Sequence, residues 1–285
     1  FWRGGSLDVE IAYETWGTLD ARKSNVVLIL PGLSPDAHAT SSTRDPSPGW
    51  WEDMVGPQKN ICTDKHFVIC INHLGSCFGS TGPASKNHAG EVLGMSFPKL
   101  SIEDLALAAT YVLDELKIES AHTLIGPSMG GLVALAFMLR YPNRFERGLI
   151  ISSAARAEAH SIAIHSLQRE AICNDPKWMN GQYAEHAPPL SGMRLARKIG
   201  MSSYRSSIEW EERFGNRRAN ETTDHPFAFE FTVESYLRAV AKRFADNFDA
   251  NAYLYLSRAM DWFDVGYHGA SATDALRRLS GKSVG

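Results

Sequence analysis

The sequence has few cysteines, no long apolar run and no excess of charge of one sign. Its 4 cysteines contain no CxxC pair, which is typical of reduced thiols and excludes a disulfide scaffold or a zinc site. No apolar run approaches the ~20 residues that span a bilayer, and the first residues lack the apolar stretch of a signal peptide. We therefore expect a cytoplasmic protein with no membrane partner and no bound metal.

Charge and composition narrow the class further. Lys and Arg number 29 against 32 Asp and Glu, so the net charge of −3 produces no field that favours nucleic acid. Hydrophobic residues make up 44% of the 285 residues, which is enough for a sizeable core. The composition predicts an ordinary globular protein without a nucleic-acid partner, and a homodimer is compatible with it. The first residue is Phe and not Met, so we expect a processed or truncated chain.

Four continuous apolar runs predict parallel strands that are covered on both faces. They occupy residues 26–30, 66–72, 122–126 and 148–152. Residues 7–16 alternate apolar and polar side chains instead, which predicts a half-buried strand at the edge of the sheet. Residues 283–285 are interpreted as the start of a fifth strand.

Helical patterns separate the later strands. Ser101 is the expected N-cap of one helix, and a second helix is expected directly after Ser128, ending at Pro142. Alternating strands and helices predict an α/β fold with a doubly wound, mostly parallel sheet. Further helices are expected around residues 162–172, 192–200, 233–248, 252–260 and 272–279, with a polar loop at 215–226.

These patterns predict three regions. Residues 1–153 form the α/β core, residues 154–265 form a helical lid inserted over the carboxyl edge of the sheet, and residues 266–285 return to a core whose final strands are missing.

The most specific chemical signal is the sequence GPSMGG at 126–131, between a buried strand and a helix. A G-x-S-x-G at such a junction is a nucleophile elbow, in which the tight turn requires small neighbours and lifts the Ser hydroxyl above the sheet. We interpret Ser128 as the nucleophile. A glycine-rich packing turn is the structural alternative.

Acyl transfer from such a serine requires donors for a tetrahedral oxyanion. The backbone amide of Met129, directly after the nucleophile, is the expected first donor. The second is expected in the loop 31–34 after the first buried strand, with the amide of Leu33 preferred. Because Pro31-Gly32 is also an ordinary strand terminator, the choice of Leu33 is less specific than the choice of loop.

A serine elbow also needs a histidine base and an orienting acid later in the chain. Asp261, Asp264 and His268 lie together near the end of the chain, but not on a predicted strand. We interpret them as surface or packing residues, and we interpret His160 and His165 in the same way.

Several segments together resemble the α/β-hydrolase-fold homoserine O-acyltransferases, a group with acetyl-transferring, succinyl-transferring and serine-specific members. The resemblance spans nearly the whole chain. It is carried by LGSCFGSTGPAS (74–85), FP (97–98), GPSMGG (126–131), QREAI (168–172), ARK (196–198), SYRS (203–206), RF (213–214) and KRFADNFDAN (242–251).

The resemblance implies transfer of an acyl group from acyl-coenzyme A, through an ester on Ser128, to the hydroxyl of homoserine or serine, in methionine or cysteine biosynthesis. The partners would then be small molecules, with acyl-coenzyme A as a co-substrate and no bound cofactor. Arg197 and Tyr204 match family positions that hold the amino acid, with Arg197 on its carboxylate. The family likeness favours homoserine as acceptor and, through residues 204–210 and 252–257, succinyl as the acyl group.

The chain departs from the family pattern at its C-terminus. Family members carry the catalytic Asp on a further strand and the base in a Gly-His-Asp motif, and residues 1–285 contain neither. We therefore expect a chain truncated beyond Gly285. Two other functions stay open: an esterase that uses water as acceptor, and an inactive binding module.

Overall fold

The fold is built on a sheet whose strands are parallel except at one edge. The computed structural model describes residues 1–219 and 227–285. Its strands are β1 (Tyr13–Trp16), β2 (Val26–Ile29), β3 (Val55–Gly56), β4 (Ile61–Cys62), β5 (Phe67–Ile71), β6 (Ala121–Pro127), β7 (Phe145–Ile151) and β8 (Ser283–Val284). In this described part of the chain, the main sheet has the order β1-β5-β2-β6-β7-β8, and β3 and β4 form a separate pair.

The strand predictions are confirmed where the apolar runs are continuous. Strands β5, β2, β6, β7 and β8 pair in parallel, and every residue of β2 is buried. Strand β1 lies at the edge, antiparallel to β5, with Thr15 exposed and Trp16 buried. The alternating pattern of its residues follows from this position, because one face of the edge strand contacts water. The α/β architecture predicted from the sequence is therefore confirmed.

Eight α-helices are found in residues 1–219 and 227–285. They are α1 (Ile102–Glu115), α2 (Met129–Arg140), α3 (Ala159–Cys173), α4 (Leu190–Ser203), α5 (Ser207–Phe214), α6 (Thr232–Ala245), α7 (Ala250–Trp262) and α8 (Ala272–Arg277). Helix α1 begins with a capping box, in which the Ser101 side chain accepts from the Asp104 amide and the Asp104 carboxylate accepts from the Ser101 amide. Helix α2 packs on β6 and β7 and ends shortly before Pro142, which cannot continue a helix.

The chain divides into two units, which we name the core unit and the helical unit. The core unit comprises Phe1–Ala157 and Tyr255–Gly285, and it contains both sheets with α1, α2 and α8. The helical unit comprises Glu158–Leu254, in which α4 packs against α3 and α6. The boundaries predicted at residues 153 and 265, and the role of a lid, stay predictions.

Two expectations were incomplete. Helix α5 was not predicted, although Ser206 accepts from the Glu209 amide in the cap that its S-x-x-E spacing favours. The β3 and β4 pair was also not predicted, because strands of two residues have no readable period. The loop predicted at 215–226 is described only to residue 219, since residues 220–226 lie outside the described part of the chain.

Residues 1–219 and 227–285 contain neither a membrane-spanning helix nor a metal-binding cluster. No helix there combines the length and the apolar character needed to cross a membrane. No group of three or more His, Cys, Asp or Glu side chains there is arranged to hold a metal ion.

Candidate active site

Ser128 occupies the sharp turn between β6, which ends at Pro127, and α2, which begins at Met129. Its backbone has φ 55° and ψ −123°, a region that residues other than glycine rarely adopt. The Ser128 amide donates to the Ile151 carbonyl of β7 at 2.9 Å, and the Ser128 carbonyl accepts from the Gly131 amide at 2.9 Å. These two bonds hold a strained turn in place, as is common at functional sites.

The glycines of the motif are required by close backbone approach. A Cβ atom at Gly126 would lie 2.2 Å from the Gly130 carbonyl oxygen. A Cβ atom at Gly130 would lie 1.8 Å from the Leu30 carbonyl oxygen and 2.5 Å from that of Pro31. Larger side chains therefore cannot be placed at either position without moving backbone, so the G-x-S-x-G spacing is a steric requirement here.

The start of α2 provides hydrogen-bond donors beside the Ser128 hydroxyl. Ser128 is the N-cap residue, yet its side chain makes no capping hydrogen bond, and the residue is exposed. The first amides of a helix, including that of Met129, have no acceptor within the helix, and the helix dipole makes this end partly positive. A negative charge that develops on an atom bonded to Ser128 would be stabilised at this end.

The loop predicted to hold the second donor borders Ser128. A Cβ atom at Gly32 would lie 3.8 Å from the Ser128 Cβ and 3.8 Å from the Pro127 carbonyl oxygen. Leu33 follows Gly32 and is half-buried. The structure thus brings Ser128, Met129 and the Gly32 loop together, while the choice of the Leu33 amide as donor stays a prediction.

One residue beside this loop was not identified from the sequence. His73 lies just beyond the carboxyl end of β5 and is 2% exposed. Its Nε2 atom lies 2.7 Å from the Pro31 carbonyl oxygen. Burial lowers the pKa of His73 to about 4, although the hydrogen bond to Pro31 acts in the opposite direction. His73 is therefore a neutral imidazole near pH 7.

The residues predicted to hold the amino acid lie in the helical unit. Arg197 is half-buried on α4, with its Cζ 4.5 Å from the centroid of the Phe244 ring, and its Nε has no hydrogen-bond partner among the described residues. Tyr204 follows the last residue of α4 and is 63% exposed. A guanidinium that stacks on an aromatic ring keeps its outer N–H groups available for a carboxylate.

Tyr253 of α7 lies near Arg197 and Tyr204 and also near two buried residues of α3, Gln168 and Arg169. Burial raises the pKa of Tyr253, and the nearby Tyr204 raises it further. The positive charges of Arg197 and Arg169 act in the opposite direction. The Gln168 side chain also bonds Tyr253, and its Nε2 donates to the Ala196 carbonyl at 2.9 Å. Gln168 and Arg169 were not predicted as site residues, although the family resemblance includes QREAI at 168–172.

The acidic and histidine residues near the end of the chain have structural contacts. The Nε2 atom of His268 lies 3.1 Å from Oε1 of Glu103 on α1, and both side chains are buried. Asp264 accepts from the Gly266 amide at 2.7 Å and so caps a short 3₁₀ helix. On α3, His160 is exposed and His165 is half-buried. These contacts agree with the packing interpretation of His268 and Asp264.

Comparison with known proteins gives the family. The model of the α/β hydrolase fold matches residues 25–270. A serine O-succinyltransferase from Litchfieldella anticariensis is 51% identical over 286 residues, which are 99% of this chain and 78% of the relative. The crystal structure of a homoserine O-acetyltransferase from Bacillus anthracis superposes with a TM-score of 0.85 at 28% identity, covering 94% of this chain and 74% of that one.

A third similar protein is an esterase. The crystal structure of esterase E22 superposes with a TM-score of 0.82 at 30% identity, covering 94% of this chain and 76% of that one. Identity above 50% over nearly the whole chain places this protein closer to the serine O-succinyltransferase than to either solved structure. The chain belongs to the α/β-hydrolase-fold family of homoserine and serine O-acyltransferases.

Proposed function

We propose that the protein transfers a succinyl group from succinyl-coenzyme A to the hydroxyl of L-serine, through an ester on Ser128. Membership of the family makes it an O-acyltransferase whose substrates are small molecules. The observation that carries the proposal is the geometry at Ser128, where an exposed hydroxyl that makes no cap bond lies at the start of α2. The proposal goes beyond family membership because it names the acyl donor, the acyl group and the acceptor.

The first half-reaction forms the acyl-enzyme. The Ser128 Oγ attacks the thioester carbonyl carbon while its proton passes to a general base, and the carbonyl oxygen becomes an oxyanion held by the amides of Met129 and Leu33. Collapse of this intermediate breaks the carbon–sulfur bond, and the coenzyme A thiolate takes up the proton. In the family, the base is the histidine of a Gly-His-Asp motif, which residues 1–285 do not contain.

The second half-reaction transfers the acyl group to the amino acid. The serine hydroxyl loses its proton to the base and attacks the ester carbonyl, after which the Ser128 Oγ leaves and is reprotonated. We propose that Arg197 binds the carboxylate of the amino acid and that Tyr204 contacts it. Charge-assisted, paired N–H···O bonds favour arginine for this task.

The choice of acceptor changes with the comparisons. The family resemblance favours homoserine over serine, whereas the relative at 51% identity is named for serine. A difference of one methylene is worth only about 1 to 3 kcal/mol in a pocket, so we expect homoserine to react more slowly but measurably. We keep succinyl as the proposed acyl group, which the family likeness of residues 204–210 and 252–257 favours.

Hydrolysis is the second candidate function, and the structural likeness to esterase E22 favours it. A steady-state assay of thiol release by the full-length protein separates the two. Transfer predicts that release from succinyl-coenzyme A requires serine and yields O-succinylserine in equal amount. Release at the same rate without any amino acid would support the esterase and contradict the transferase.

We also propose that residues 154–265 act as a lid that excludes water from the acyl-enzyme, since transfer requires protection from hydrolysis. We also propose a cytoplasmic location, in keeping with the low cysteine content of the sequence. We further propose a homodimer, which light scattering of the full-length protein would detect.

A further inference from the structure

His73 is a buried histidine that the acyl-transfer scheme does not use. It lies at the carboxyl end of β5, beside the parallel strand β2 whose following loop contains Pro31. The Pro31 carbonyl oxygen is only an acceptor, so His73 Nε2 carries the hydrogen of their 2.7 Å bond. This bond therefore assigns the tautomer of the ring and uses its only donor.

The chemistry of His73 does not suit a general base. Its Nε2 hydrogen is directed at a backbone carbonyl, and burial lowers its pKa to about 4. A base that acts near pH 7 works best with a pKa near that value. A neutral ring with one directed N–H suits a different task, which is to fix the orientation of the group that accepts from it.

The accepting group lies at a sensitive position. A trans peptide is planar, so the direction of the Pro31 carbonyl sets the opposite direction of the Gly32 amide. The same oxygen is approached from α2, since a Cβ at Gly130 would lie 2.5 Å from it. Gly32 in turn borders Ser128 at 3.8 Å between its Cβ position and the Ser128 Cβ. The Pro31 carbonyl is thus held between His73 and the start of the nucleophile helix.

We propose that His73 is a positioning residue for acyl transfer, which holds the Pro31–Gly32 peptide so that the amides of this loop point at the oxyanion on the Ser128 adduct. The inference rests on the proposed role of Ser128. It adds a residue whose effect passes through the loop and not through contact with the substrate. A hydrogen-bond donor at this position, rather than an imidazole, is what the role requires.

The test compares two residues of similar shape at position 73. In His73→Gln the side-chain amide can donate to Pro31, whereas in His73→Met nothing can. His122→Gln, at the other end of β6 from Ser128, is the matched control for loss of a histidine. The full-length variants are mixed with p-nitrophenyl acetate, which forms the acyl-enzyme without coenzyme A. The burst amplitude counts folded active sites, and the burst rate constant measures acylation.

We expect His73→Met to lower the acylation rate constant by about 10- to 100-fold with a near-normal amplitude, because a displaced loop misplaces an oxyanion donor. His73→Gln and His122→Gln are expected to stay within about threefold of the wild type. A small alkylboronic acid, which forms a tetrahedral adduct with the serine, should bind His73→Met more weakly by the same factor as the rate loss. The KM of the ester should change much less.

Each outcome separates the two proposals. A burst that survives in Ser128→Ala overturns the proposed function, and this inference with it. A burst that depends on Ser128 but keeps its rate constant in His73→Met overturns this inference alone. Equal losses in His73→Gln and His73→Met, or a loss of amplitude without a loss of rate, also overturn it. If His73→Met does not fold, His73→Leu takes its place and is judged by the same criteria.

Discussion

Glycine at position 128 is expected to make the protein more stable than alanine at the same position. Ser128 has φ 55° and ψ −123°, and alanine must adopt the same strained backbone as serine. Glycine has no Cβ atom and adopts positive φ without this cost. Because Ser128 is exposed, neither substitution removes much packing. The comparison of the two variants therefore isolates the strain of the turn.

The magnitude follows from two opposing contributions. The strain of such a residue is about 1 to 3 kcal/mol, and glycine relieves it. Glycine also gains about 0.5 to 1 kcal/mol more freedom than alanine in the unfolded chain, which opposes the gain. The net expectation is that Ser128→Gly is more stable than Ser128→Ala by about 0 to 2.5 kcal/mol, with a central value of about 1 kcal/mol.

Urea unfolding of the two full-length variants measures this difference. With a slope of about 3 kcal/mol per molar urea, the midpoint of Ser128→Gly should lie about 0.4 M above that of Ser128→Ala, and at most about 0.8 M above it. Both variants should lack acyl-enzyme. Without strain, the alanine variant would be the more stable of the two by about 0.5 to 1 kcal/mol, and that result would refute the reasoning.

Three further predictions concern other parts of the molecule. Gly130→Ala should destabilise the fold by about 1 to 3 kcal/mol or more, because the new Cβ atom would lie 1.8 Å from the Leu30 carbonyl oxygen. Gly32→Ala is the control and should change the urea midpoint little, because its Cβ atom would have no contact under 3.7 Å. Arg197→Lys should raise the KM for the amino acid about 10- to 100-fold with a smaller effect on kcat, because lysine cannot form the paired bonds to a carboxylate. Arg205→Lys is the control and should leave the KM unchanged, because Arg205 pairs with Glu209. Burial acts to raise the pKa of Glu103, but the hydrogen bond with His268 holds it below its ordinary value of 4.5. The Glu103 carboxylate should therefore stabilise the wild type relative to Glu103→Gln fully above pH 4.5, and this stabilisation should fall as the pH drops below that value. Denaturation midpoints of the two proteins, measured across pH, test this.

The sequence predicted the parts of the site that local chain pattern controls. Continuous apolar runs identified the parallel strands, and the glycines around Ser128 identified the turn, because both features are determined by residues adjacent in the chain. The loop beside Ser128 could also be predicted, since it follows a buried strand. Only the steric contacts between Gly130 and the Leu30 carbonyl explain why the spacing cannot vary.

The remaining features depend on residues that are distant in the chain. His73 and Pro31 are 42 residues apart, and a single histidine after a strand has no pattern that predicts a bond to a particular carbonyl. The cluster around Tyr253 combines residues from α3, α4 and α7, so its members could be found only through the family resemblance. Helix α5 has a cap signal that is readable, but only Phe214 among its residues is buried. Its weak apolar pattern explains why it was not predicted.

The intact mass of the full-length protein tests the central claim most directly. The protein is mixed with succinyl-coenzyme A in the absence of any amino acid, and serine is then added. We predict a mass increase of one succinyl group, located on the peptide that contains Ser128 and absent from Ser128→Ala, which disappears when serine is added as O-succinylserine forms. An adduct that persists in Ser128→Ala, or one that is lost equally fast without serine, would contradict acyl transfer through Ser128.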